Sequence, residues 1–167
     1  MAIRKVFSCL VLASLVAAHA TGAESPVNNP FVTAVVETGL FEIAAGELAQ
    51  TNTSNAAVHT FGYLMITNHE ELSRELEPIA HKMNIEVPRS MGAANQQILD
   101  QLKALKGAAF DKAYLAHMVQ GHEQAVPLFE KERKSNPPND LSRWATRTVP
   151  VIREHLRLAK ELQAFLN

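Results

Sequence analysis

Cysteine is almost missing from this chain of 167 residues: the single one, Cys9, lies inside an apolar run near the N-terminus. Beyond that run there is no thiol. Thiol catalysis, thiolate ligation, disulfide staples and covalent c-type haem attachment are therefore excluded. Aromatic residues are scarce at 6%, and no segment alternates apolar and polar residues convincingly, which argues for packed helices and against a β-sandwich. Gly-x-Gly-x-x-Gly, a phosphate-binding loop and Gly-x-Ser-x-Gly are all absent, so dinucleotide, nucleotide and serine-hydrolase chemistry lack their usual signatures. There is also no basic tract. That speaks against nucleic acid or an anionic membrane surface as a partner.

Residues 1–20 read as a secretory signal peptide. Arg4 and Lys5 come first, then the apolar run VFSCLVLASLVAA, then small residues at Ala18 and Ala20. The run is too short to span a bilayer, and Cys9 comes too early in it to serve as a lipid anchor. Cleavage is expected after Ala20, with Ala23 as the alternative site and a retained amphipathic anchor as the alternative fate. Export to the periplasm follows, with no integral membrane span left after cleavage. Removing Arg4 and Lys5 from sixteen basic residues leaves fourteen against seventeen acidic ones, a net charge of −3 with histidine neutral. No motif identifies a protein partner.

The remaining chain suits one domain with a real core. Residues 21–29 are polar and turn-rich and read as a flexible arm, and residues 30–167 as the domain. Asn29 followed by Pro30 predicts a capped start for a first helix over about 30–51. TNTSN supplies a turn with Ser54 or Asn55 as the next cap. A second helix spans about 55–84, with Phe61, Met65, Leu72, Leu76, Ile79 and Met83 forming its buried face. Pro78 is expected to kink or shorten it. NIEVPRSM is a connection and AANQQILDQLKAL a short linking helix. A third long helix covers about 107–135, with Phe110, Tyr114, Met118, Ala125 and Phe129 inward and a bend at Pro127. After the breaker SNPPND comes a last helix, bent or restarted at Pro150. Trp144, Phe129 and Phe165 read as core. The fold expected is all-α, an antiparallel four-helix bundle.

Two phrases share a pattern: LMITNHEEL at 64–72 and HMVQGHEQA at 117–125. Helical spacing separates the His-Glu pair within each. His69 follows Met65 by four and precedes Leu72 by three, so it joins the apolar stripe; Glu70, Glu71 and Glu123 turn toward water. His122 stands likewise between Met118 and Ala125, and His155 between Ile152 and Leu158. Counting from the expected helix ends places His69 and His122 each about 15 residues, or ~22 Å, from a shared end. His155 matches His122 in the same way, so the three imidazoles are expected in one layer. Neutral imidazole is the commonest protein ligand for zinc, copper and iron, so one divalent transition metal is the candidate cofactor. On the first helix Glu42 is the candidate fourth ligand, with Glu37 nearer the expected height. His59 and His81 are expected to face solvent, and His117 the surface or a helix seam. Glu75 and Glu77 read as a solvated face.

FVTAVVETGLFEIAAGELA, YLMITNHEEL, LKGAAFDKAYLAHMVQGHEQAVPLFEKE and TVPVIREHLRLAKEL, in this order, resemble an exported bacterial family designated domain of unknown function 4142. The resemblance covers about residues 30–166 and implies a ferritin-like four-helix bundle. Its pattern coincides with Glu42, His69, His122 and His155, but not with His59, His81 or His117. Asn68 and Gly121 stand where the family commonly carries Asp, a departure that removes a potential orienting carboxylate.

A di-iron carboxylate site needs Glu-x-x-His on two helices. Here Ile66, Val119 and Ile152 occupy the positions three before the histidines, and all are apolar. No catalytic motif is recognisable; the chain reads as an exported bundle of unassigned biochemical function with a candidate metal site, and an enzyme acting on an unnamed substrate is the third reading. The alternative is a periplasmic interaction or envelope-stress module in which the histidines form a structural core layer.

Overall fold

The computed structural model describes residues 25–166; the signal-peptide reading and Asn167 lie outside them. The described chain is all-α, with α1 (Pro30–Asn52), α2 (Ala56–Lys82), α3 (Gly92–Lys103), α4 (Gly107–Glu132) and α5 (Asp140–Leu166). No strand occurs among the described residues. A single bridge joins Val27 to Ile85: Val27 N donates to Asn84 O at 2.8 Å and Glu86 N to Val27 O at 3.0 Å. The end of the arm is thereby fastened to the α2–α3 connection.

Asparagine starts three of the long helices. Asn29 Oδ1 accepts from the backbone of Phe31 at 3.0 Å and Val32 at 3.1 Å, with Pro30 in the first position where it forfeits no helix bond. Asn55, rather than Ser54, caps α2 through the amides of Ala57 and Val58. Asn139 and Ser142 bond reciprocally at the start of α5, backbone to side chain, at 2.8 and 2.9 Å. Pro78, Pro127 and Pro150 interrupt none of their helices. All three are exposed, so each missing N–H lies on the solvent side and the rest of the helix is held by its packed face. The early end expected at Pro78 does not occur.

Helix α1 packs against α2 and α4, and α5 against α4 and α2. The linking helix α3 lies along α1. Near its start Asn95 Nδ2 donates to Glu37 O at 3.3 Å, and just beyond its end Asn52 Nδ2 donates to Leu105 O at 3.0 Å. It therefore carries the chain from the far end of α2 back to the α1–α2 turn, and α4 begins there. This corrects the connectivity assumed from sequence, in which α4 started where α2 ends. At the opposite end, Lys82 at the close of α2 pairs with Asp140 at the start of α5, 2.6 Å away.

Two apolar clusters fill the interior. One gathers Phe41, Phe61, Met65, Phe110, Tyr114 and Met118 near the α1–α2 turn. The other gathers Phe31, Leu76, Phe129, Leu141, Trp144 and Ile152 toward the other end. Trp144 and Phe129 are core as expected; Phe165 is not. It is 81% exposed in the last turn of α5, beyond the point where neighbouring helices can cover it.

Candidate functional site

Between the two clusters the four long helices each contribute one buried polar residue. Glu42 (3% exposed), His69 (6%), His122 (1%) and His155 (1%) come from α1, α2, α4 and α5 respectively. The imidazole centroids are 5.2 to 5.8 Å apart, and one nitrogen from each ring lies within 4.8 Å of the others. The expected shared layer is therefore present, although the expected end-counting was only half right. His69 and His122 lie near the middle of their helices, so their heights agree from either end.

The hydrogen bonds assign the tautomers. His122 Nδ1 lies 2.8 Å from the Met118 carbonyl, an acceptor only, so Nδ1 carries the proton. In a neutral ring His122 Nε2 is then an acceptor, and it receives His155 Nδ1–H at 3.2 Å. His155 Nε2 in turn accepts from Asn68 Nδ2 at 2.9 Å. His69 Nε2 stands apart: it is 3.1 Å from Glu42 Oε2, yet this contact lacks hydrogen-bond alignment and the nitrogen has no hydrogen bond. The other carboxylate oxygen, Oε1, is 3.2 Å from His122 Nδ1.

Burial dominates the protonation of the layer. It holds His69 well below the ordinary imidazole value, with the facing His155 and His122 acting in the same direction. It lowers His155 to about 3, assisted by His122 and opposed by Glu154. Burial also raises the Glu42 carboxyl, an effect partly offset by His122. Neutral imidazoles are the form that binds metal.

Tetrahedral ligation at 2.0–2.1 Å requires nitrogens about 3.3 Å apart. His122 Nε2 and His155 Nδ1, at 3.2 Å, already satisfy this spacing. Completing such a set would require His69 to rotate its ring; Glu42 Oε2 lies 3.1 Å from its Nε2. The outer contacts suit the same purpose. The Met118 carbonyl fixes His122 with Nε2 inward, as outer-sphere acceptors of metal-bound histidines commonly do. Asn68 occupies the outer nitrogen of His155 and leaves Nδ1 inward. A half-turn of its amide would offer Oδ1 to the proton that metal ligation places on Nε2.

Glu37 does not reach this layer: its carboxylate lies beside Gly92 at the start of α3. His59 and His81 are exposed, and His117 is partly buried at the α1–α4 seam, its imidazole value lowered by burial. Glu70, Glu71 and Glu123 are exposed as expected, and Glu123 pairs with Lys160 at 2.6 Å. Glu75, read as merely solvated, accepts a bond from the Trp144 indole at 3.1 Å. Sequence reasoning registered Asn68 as a missing carboxylate and did not foresee it as a partner of His155. Its position, one residue before an inward histidine, was the available signal: it places the amide about 100° around the helix, toward α5.

A family model described as Domain of unknown function (DUF4142) matches residues 13–162, most of the chain. Neither a curated protein nor a solved structure matches it. The chain belongs to the DUF4142 family.

Proposed function

As a member of a family without an assigned activity, the chain has to be read from its site, and we propose that it holds one divalent transition-metal ion through His69, His122 and His155, with Glu42 as the fourth ligand. Zinc, copper and iron all suit this donor set. The observation that carries the proposal is the convergence of three buried imidazoles and one carboxyl group, from four helices, between two apolar clusters. The bundle is further read as ferritin-like and antiparallel, with α3 as the crossover. It is read as exported to the periplasm after cleavage at Ala20 or Ala23, which the order of basic, apolar and small residues in 1–23 supports. N-terminal sequencing of exported protein checks the cleavage. A start at Met1 in that fraction would contradict it.

One observation favours a second reading. The relay from Asn68 through His155 and His122 to the Met118 carbonyl is continuous, and such a bonded chain stabilises buried polar groups by itself, with His69 Nε2 standing outside it. Zinc titration of chelator-treated protein separates the two readings. The metal reading predicts near one ion per chain, lost in His69→Ala, His122→Ala and His155→Ala. No titratable ion at neutral pH, or a combined His→Gln variant that keeps the wild-type metal content, supports the structural layer instead.

A further inference from the structure

A cavity of about 140 Å³ opens between α1, α2 and α4 and ends on the polar layer. Its walls are mostly apolar, with Leu72, Leu76, Phe129, Trp144 and Ile152 beside the polar Thr38, Ser73 and Gln124, while His69 and Glu42 form its inner end. Gly39 on α1 and Gly121 on α4 line that inner end. A Cβ on Gly39 would meet His69 Nδ1 at 3.8 Å, and one on Gly121 would meet Glu42 Oε1 at 3.6 Å, both ordinary contacts. The chain thus leaves room for a side chain beside each polar group and does not fill it. Close-packed interiors rarely leave such gaps, because every lining atom forfeits dispersion contacts. At the inner end the His69 imidazole turns its Nδ1 edge toward Gly39, while Nε2 is closed off against Glu42 Oε2 at 3.1 Å.

We infer that this cavity binds a small uncharged alcohol or phenol: its ring lies against Leu72, Leu76, Phe129 and Trp144, and its hydroxyl is bonded to His69 Nδ1. The size is that of one ring, since an apolar cavity of about 150 Å³ accommodates benzene. A charged head group would lose its hydration against these walls, and an anionic one would also face the Glu42 carboxylate. A hydroxyl both donates and accepts, so it pairs with Nδ1 in either tautomer. The inference stands on the cavity and the imidazole edge at its inner end, and it needs no metal ion.

Phenol titrated calorimetrically into the chelator-treated protein tests it. Saturable binding at one site is expected, with toluene several-fold weaker and a change in fluorescence of Trp144, the chain's single tryptophan. Gly39→Ala should weaken phenol binding without lowering the thermal midpoint, and Gly39→Leu, which fills the space, should abolish it. Should the leucine variant fail to fold, the alanine variant alone decides. No saturable phenol binding, equal affinity for toluene and phenol, or undiminished binding by Gly39→Ala would overturn the inference. Metal content measured on the same preparations keeps this outcome distinct from that of the metal proposal.

Discussion

At the scale of single residues, the chemistry of the layer turns on which nitrogens carry protons. His69 and His155 are neutral in the fold because burial disfavours their charged forms, His155 down to about 3. The unfolded chain protonates both as the pH falls through about 6.5, and the folded chain does not. The unfolded state then binds more protons, so these groups destabilise the metal-free fold progressively between about 6.5 and 3. Glu42 works in the opposite sense, since its raised carboxyl gains its proton in the fold first; below about 4.5 it is protonated in both states and the histidines act alone. Denaturant midpoints of chelator-treated wild type and His155→Leu should therefore converge on acidification, the wild type falling more steeply. Parallel curves from pH 6.5 to 4 would contradict the buried neutral imidazole.

At the scale of elements, glycines on the long helices have opposite meanings. Gly46 and Gly62 mark where α1 and α2 touch backbone to backbone. A Cβ on Gly46 would sit 2.7 Å from Gly62 O, and one on Gly62 2.6 Å from Ala49 Cβ. Gly62→Ala should cost about 1–3 kcal/mol as overpacking, although alanine is the better helix former. Gly121→Ala, with only Glu42 Oε1 at 3.6 Å, should be neutral or stabilise by up to ~1 kcal/mol. Urea denaturation of the two variants checks the contrast, and equal effects would contradict it. Element positions were largely legible, because the Asn29 cap, the Pro30 start and the apolar spacing in α2 are local signals. The glycine contact was not, since it depends on which helices meet. Nor was the persistence of α2 through Pro78, where tertiary packing outweighs local preference. Phe165 reads as core by its residue type alone, and only the end of the bundle shows that nothing covers it.

At the scale of the whole molecule, the polar layer divides one interior into two apolar clusters, and all four long helices cross it. The histidines were identifiable from helical spacing, but the route of α3 was not. Nothing in NIEVPRSM or AANQQILDQLKAL states which end of the bundle the chain returns to, and the layer was found because His69 and His122 are near mid-helix. Glu42 over Glu37 was likewise a matter of register between α1 and its neighbours. An ion bound only by the folded state stabilises it by mass action, about 2.7 kcal/mol at a free concentration one hundred times its Kd. The thermal midpoint should thus rise with added zinc and return with chelator in wild type, while His122→Ala should show no zinc-dependent rise. The most direct measurement is anomalous diffraction at the zinc edge from crystals grown with zinc. The account predicts one strong peak per chain, about 2.1 Å from a nitrogen of each of His69, His122 and His155. A layer without a peak, with zinc found only at surface residues such as His59 or His81, would contradict it.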